Sequence, residues 1–347
     1  MQDFSLSIRL WFRQNSRTLP WRETKDPYLI WLSEIILQQT RVDQGRAYYE
    51  KFVKHYPKVQ DLASASQENV LNDWQGLGYY SRARNLHYAA QQIVEEFDGF
   101  FPQTYKEIKS LKGVGDYTAA AIASFAFDLP YAVVDGNVYR VLSRYFADAT
   151  PIDSTAGKKL FAAYAKELLS QEDPGEHNQA MMELGALVCK PKNPDCDNCP
   201  VQDSCEAYRK NEMLDYPVKS KKTKVRDRYF NYLVSGNTQF QFEKREGKGI
   251  WQNMYQFPLF ETKVEKSMND LNGDLQQEFG VSAVDRIASY THILSHQKIH
   301  AIFWKVDKVI SDNDRLLHVD IERVDEYPLP RLIHRFFEEH NPEYGGN

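Results

Sequence analysis

Long apolar runs are missing from this 347-residue chain: no stretch approaches the roughly eighteen uncharged apolar residues that a membrane helix needs. The opening MQDFSLSIRLWFRQNSRTLPW lacks the charged, apolar, small order of a secretory signal, so a cytoplasmic location is expected. Excess positive charge is absent, since 43 Lys and Arg stand against 48 Asp and Glu for a net charge of -5, whereas polyanion binders are usually basic overall. Any contact with nucleic acid must therefore be read locally. Internal repeats and low-complexity tracts are absent as well. Cysteine is scarce, and its four copies all fall between Cys189 and Cys205. In a reducing compartment such crowding favours metal ligation over disulfides.

What is present suits a globular protein of about two domains: 42% hydrophobic residues in a chain too long for one small core. Up to about residue 210 the pattern is helical. In SRARNLHYAAQQIVEEF (81–97), Ala83, Leu86, Ala90, Ile93, Val94 and Phe97 recur at spacings of three and four, and Pro57, Gly99, Pro102 and Pro174 punctuate one short helix from the next. The basic stretch PVKSKKTKVRDR (217–228) follows, a solvated linker or a phosphate contact. Beyond it the texture changes. RYFNYLVSGNTQFQFEKREG reads as two strands joined in a hairpin through Ser235, Gly236 and Asn237, and KIHAIFWKV (298–306) alternates like a third strand. An all-helical domain thus precedes a smaller α+β one, with the boundary between Asp215 and Arg228.

Three features carry chemistry. The cysteines are spaced C-x6-C-x2-C-x5-C (Cys189, Cys196, Cys199, Cys205), which suits tetrahedral zinc or a four-iron cluster; one close pair followed by a longer gap favours iron and sulfur. Such a group would staple a loop-rich segment too poor in apolar residues to fold alone. Lys190 and Lys192 lie in its first loop. The second feature is LKGVGDYTAAAI (111–122), where Gly113 and Gly115 precede a helix whose N-terminal amides attract an anion; a ligand-free helix connection reads equally well, and the spacing is not that of a P-loop. The third is a pair of carboxylates. Glu34 lies in YLIWLSEIILQQT among Ile, Leu and Trp, so it points out, is paired, or carries the raised pKa that a general acid needs; from this stretch alone an exposed Glu on the wetter face of the helix is expected. Asp135, in PYAVVDGNVYRVL, is placed to cap a helix. Two carboxyls of opposite protonation are also how glycosidic bonds are broken.

These motifs, in this order, resemble the helix-hairpin-helix DNA glycosylases. LKGVGDYTAAAI matches the hairpin, VVDGNVYRV carries the family aspartate, and the cysteines have the spacing of the endonuclease III and MutY branch. LPWRETKDPYLIWLSEIILQQTRVD (19–43), WQGLGYYSRARNL (74–86), GKGIWQNMYQFPLFE (247–261) and the LSH of 294–296 are similar to the MutY adenine glycosylases in particular. The resemblance covers essentially the whole chain. It implies an all-α glycosylase domain over 1–214, with the hairpin motif at about 108–127 and a [4Fe-4S] loop at 189–205. A basic linker at 215–228 and a smaller Nudix-like α+β domain at 229–347 would follow.

The function so implied is base excision repair by a monomeric enzyme that excises adenine opposite 8-oxoguanine or guanine in double-stranded DNA. Glu34 would protonate the base and Asp135 would stabilise the sugar cation, oriented by Tyr117 and Asn137. Trp21, Arg22 and Gln179 would line the adenine. Gln39 and Tyr79 would wedge into the gap, with Thr40 and Leu77 supporting the orphaned base. Gly113, Val114 and Gly115 would hold a phosphate, and Ser295 and His296 would meet the 8-oxoguanine; many relatives have Phe where Leu294 stands. Lyase-type members carry a lysine where Tyr117 stands, and a phenol cannot form a Schiff base, so a monofunctional hydrolase is implied. QQEFG (276–280) retains only Glu278 of the Nudix metal pattern, which argues against separate nucleotide hydrolysis. The rival enzyme is an oxidised-pyrimidine glycosylase and lyase on the same scaffold; the rival of another class is a non-enzymatic iron-sulfur DNA-binding module.

Overall fold

The computed structural model describes residues 4–220, 225–236, 238–311 and 315–340; Asn237 and residues 221–224 of the basic stretch lie outside them. The chain divides into two compact units. One holds the residues up to Ser64 and those from Tyr88 to the basic stretch; the other holds Ala65–His87 and everything beyond that stretch. Among the described residues no helix is long and apolar enough to cross a membrane.

The helices run in chain order as α1 (Phe4–Asn15), α2 (Pro27–Ile36), α3 (Val42–His55), α4 (Val59–Ser64), α5 (Gln67–Asp73), α6 (Ser81–Glu96), α7 (Tyr105–Ser110) and α8 (Asp116–Phe127). They continue as α9 (Gly136–Tyr145), α10 (Thr155–Leu168), α11 (Pro174–Leu187), α12 (Glu206–Lys210), α13 (Met268–Phe279) and α14 (Arg331–His340). In the first unit, α1 places Phe4, Ile8 and Phe12 four residues apart on one face. That stripe meets Val138 and Leu142 of α9, Phe161 of α10 and Leu184 of α11 in a single buried core. Each such side chain contributes about 1.5–3 kcal/mol by leaving water. In α6, Ala83, Leu86, Ala90 and Ile93 are buried as their spacing predicts.

Short polar residues start these helices. Asp26 accepts from the Tyr28 N–H, Ser154 from Gly157, and Thr104 forms a reciprocal capping box with Glu107. Between α7 and α8 the chain reverses through Leu111–Gly115. Gly113 has φ 80°, whereas Gly115 is extended at φ -93°. Only Gly113 therefore needs glycine. Gly113→Ala should cost about 1 kcal/mol, read as a lower urea midpoint at unchanged slope.

The second unit contains two sheets. Strands β1 (Arg226–Val234), β4 (Leu259–Thr262), β5 (Ala283–Ile293) and β6 (Gln297–Val306) form one, in the order β4-β1-β6-β5, with β1 and β6 parallel. Strands β2 (Gln239–Lys244), β3 (Tyr255–Gln256) and β7 (Leu316–Asp320) form the other. The strand expected over 298–306 is β6. The hairpin expected through Ser235 and Gly236 is not formed: β1 pairs with β4 and β6, and β2 with β3 and β7. The turn itself exists, with Gly236 at φ 81°, but it passes the chain from one sheet to the other. Burial is the reason. The last five residues of β1 are buried and so need partners on both edges, and the Ser235 hydroxyl turns inward to donate to Gln241 Oε1 at 2.8 Å.

Leu271 and Leu275 of α13 pack with Leu233, Ile302 and Trp304 on the four-stranded sheet. Phe336 of α14 stacks on Phe303 with ring centroids 4.3 Å apart. Ala65–His87 is tied to this unit by polar contacts. Lys244 Nζ and the Tyr255 hydroxyl donate to Glu68 at 2.6 and 2.8 Å, and Arg84 donates to the Gln252 carbonyl at 3.0 Å.

Candidate active site

Helix α2 has no wet face. Every residue from Ile30 to Ile36 is buried, so Glu34 is carried inside rather than to the surface. It opens into a cavity of about 540 Å³, within the range of small-ligand pockets. The Tyr117 hydroxyl, at the start of α8, donates to Glu34 Oε2 at 2.7 Å. Burial pushes the Glu34 carboxyl up to about 7, and the charge of Asp135 adds to this, against the opposing Tyr117 hydrogen bond and the Arg22 charge. Tyr117 is raised well above an ordinary phenol by burial and by Glu34, so it remains a donor.

Asp135 reaches the same cavity from the N-cap of α9. Burial pushes its carboxyl up as well, but more groups oppose that. Its oxygens accept from the Val138 N–H at 2.7 Å and the Asn137 amide at 2.9 Å, and Arg140 lowers it further. Asp135 is therefore better solvated by the protein than Glu34, and a proton shared by the pair resides on Glu34. Tyr117 orients Glu34 and not Asp135, which corrects the pairing expected from sequence. Asn137 does orient Asp135, and is itself held by Arg140, whose Nη2 donates to Asn137 Oδ1 at 2.8 Å while its Nε donates to the Cys189 carbonyl at 2.7 Å.

Of the other expected site residues, Trp21, Arg22, Gln39, Thr40 and Gln179 all line this cavity. Gln39 takes a left-handed φ of 57° in the turn after α2 and is exposed. In the second unit, the loop after α5 carries Leu77, which is buried, and Tyr79, which is 45% exposed with φ 49°. Gly76 and Gly78 give this loop two further left-handed positions. Arg82 packs over Trp74 and Tyr79, and the Tyr79 hydroxyl makes a short hydrogen bond with Ser295 Oγ. Ser295 and His296 are exposed in the turn between β5 and β6, closed by the Leu294 N–H donating to the Gln297 carbonyl at 2.8 Å. Val114 is buried in the hairpin, while Gly113 and Gly115 are exposed. Glu278 is exposed on α13.

Two charged cavity residues were missed from sequence, Arg17 and Glu183, which pair with each other, and Glu183 pairs with Arg22 as well. The signal for Glu183 was the one that singled out Glu34: an acidic residue inside an apolar helix, here MMELGAL.

The four cysteines are not paired in disulfides, and each is partly buried. Among the described residues no group of three or more His, Cys, Asp or Glu side chains is drawn together tightly enough to hold a metal ion. The donor chemistry still suits a cationic cluster. Burial, then the charges of the other cysteines, push up Cys196, and burial pushes Cys199 up to about 12 with the same charges adding to it. A raised thiol gives up its proton readily only beside a positive centre, which these side chains would therefore need in order to act as ligands. Arg144 lies beside them, its Nη1 donating to Cys189 Sγ at 3.4 Å and to the Lys190 carbonyl at 2.7 Å.

This arrangement has close counterparts among known proteins. The chain is 36% identical over 307 residues to the adenine DNA glycosylase of Buchnera aphidicola subsp. Schizaphis graminum, with 86% of each chain covered. The chain belongs to the adenine DNA glycosylase family. The family member of Buchnera aphidicola subsp. Baizongia pistaciae is 33% identical, covering 95% of this chain and 94% of its own. A solved thermostable thymine-DNA glycosylase superposes with TM-score 0.56 at 30% identity, covering 60% of this chain and 95% of that one. Residues 32–168 match the family model for HhH-GPD superfamily base excision DNA repair proteins, 189–205 that for the iron-sulfur binding domain of endonuclease III, and 230–339 that for the NUDIX domain. An all-α glycosylase part, an iron-sulfur loop and a Nudix-type α+β part thus follow one another along this family member.

Proposed function

We propose that the chain excises adenine opposite 8-oxoguanine or guanine in duplex DNA, as a monofunctional glycosylase in base excision repair. A stacked adenine is out of reach of a buried carboxyl, so the base must swing out into the cavity. There Trp21, Arg22 and Gln179 line it, and Glu34, still protonated near neutrality, donates its proton to a ring nitrogen. The bond from the sugar to N9 breaks, its electron pair leaving with the adenine. Positive charge develops on the sugar, and the anionic Asp135, held by Asn137 and the Val138 N–H, lowers the energy of that cation until water adds. The observation carrying this reading is that one cavity holds both carboxyls, Glu34 pushed up by burial to about 7 and Asp135 raised by burial but opposed by the Val138 and Asn137 donors and by Arg140.

Gly113, Val114 and Gly115 anchor a backbone phosphate at the start of α8, a contact that positions without specifying. Gln39 and Tyr79 fill the gap left by the base, Thr40 and Leu77 support the orphaned partner, and Ser295 and His296 read the lesion from the C-terminal domain. The domains run 1–214 and 229–347, and the enzyme acts as a monomer in the cytoplasm, on the nucleoid.

Cys189, Cys196, Cys199 and Cys205 hold a [4Fe-4S] cluster, which supplies cross-linking of the loop. Cys199→Ser should bleach the visible iron-sulfur absorbance and lower the melting temperature, checked by iron content and thermal unfolding.

Excision of adenine from an 8-oxoguanine·adenine duplex, followed by alkaline cleavage, tests the whole reading. Strand cleavage without alkali, with a borohydride-trapped covalent adduct, would instead mark a lyase.

A further inference from the structure

Glu183 lies on α11 with its side chain 1% exposed, and its carboxylate accepts four hydrogen bonds. Oε1 takes the Arg17 N–H at 3.0 Å and Arg17 Nε at 2.8 Å; Oε2 takes Arg17 Nη2 at 2.7 Å and Arg22 Nη2 at 2.8 Å. Burial would raise this carboxyl, but the arginine hydrogen bonds outweigh it and hold it down at about 2. Glu183 is therefore a fixed anion. Arg22 is the cation of the base pocket, fixed further by Nη1 donating to the Arg17 carbonyl at 3.1 Å. A bare guanidinium there would draw the proton off Glu34, the group that must keep it. Besides Arg22, the charge that acts on Glu34 is Asp135 ahead of α9, while α8 brings the neutral Tyr117 hydroxyl; Arg140 acts on Asp135, and Asp43 at the start of α3 on Arg17.

Resting on the reading of Glu34 as general acid, we propose that Glu183 is a charge-balancing and positioning residue: by pairing with Arg22 it lets a cation lie beside the adenine without deprotonating Glu34. Arg17 sets the strength of that balance, since it divides the same carboxylate with Arg22.

The test is the pH dependence of single-turnover adenine excision from an 8-oxoguanine·adenine duplex. Glu183→Gln exposes the charge of Arg22, so the alkaline limb should move toward acid by about one pH unit, and Glu183→Asp should restore it. Arg17→Gln removes one of the two cations that offset Glu183, leaves the cluster one charge more negative, and should move the limb the other way. Loss of rate in Glu183→Gln by the same factor at every pH, with the limb in place, would overturn the proposal. If Glu183→Gln does not fold, Arg17→Gln decides, because Arg17 is partly exposed; an unmoved limb there overturns it equally. A wild-type protein that excises no adenine, or a limb that survives in Glu34→Gln, is a different result: it sinks the general-acid reading, and this inference with it.

Discussion

Glu34→Gln should reduce single-turnover excision of adenine by roughly 10²–10⁴-fold while leaving duplex affinity nearly unchanged, because general acid help is lost and no phosphate contact is touched. In the wild type the rate should fall as pH rises through about 7, where the carboxyl loses its proton. It should fall again in acid, where Asp135 gains one. Glu34→Gln should abolish the alkaline limb. Above neutrality the substitution should move stability in the opposite sense to activity. A carboxyl whose folded pKa is raised keeps its proton in the native state while the unfolded chain releases one, so its stability contribution is fully present below about 4.5 and is lost as pH rises to about 7. Above neutrality Glu34→Gln should therefore stabilise the fold, on the order of 3 kcal/mol. Urea unfolding at acid and alkaline pH checks the sign. A variant with wild-type excision rates, or one destabilised at alkaline pH, would contradict the assignment.

Asp135→Asn separates capping from catalysis. Asparagine caps a helix as well as aspartate does, so α9 should persist and the melting temperature should barely move. The negative charge facing the sugar is lost, and excision should drop by roughly 10²–10³-fold, the usual scale for removing one preorganised electrostatic stabiliser. The drop should be full above the acid limb and should narrow below it, where the wild-type Asp135 is itself protonated and has lost the same charge. If Asp135→Asn excised adenine at the wild-type rate, Asp135 would be a cap and nothing more.

Legibility was uneven, and for identifiable reasons. The hairpin, the cysteine loop and the helical texture were readable because each rests on spacing within a dozen or so residues. Glu34 was not decidable, because an acidic residue in an apolar run is compatible with an exposed stripe or with burial; the choice depends on what covers the other side of α2. The β1–β2 connection was misread for a related reason. A Gly turn between two strand-like runs signals a reversal, but whether the strands then pair or enter separate sheets depends on β6 and β7, far along the chain. Tyr117 was placed at the right site with the wrong partner, since side-chain direction at a helix start depends on how α8 packs against α2. Glu183 was visible only as an anomaly in MMELGAL; its partners lie 161 and 166 residues away.

The order of residues alone was enough to establish the family, the succession of a helical part, a metal-type cysteine loop and an α+β part, and which side chains were eligible for chemistry. These follow from local patterns and from motifs read in order. Tertiary structure decided how far each carboxyl is raised and what opposes the rise, because pKa is set by burial and by neighbouring charge, and both come from residues distant in sequence. Glu34 is enclosed with Asp135 and Tyr117 only when α8 and the turn before α9 close over α2.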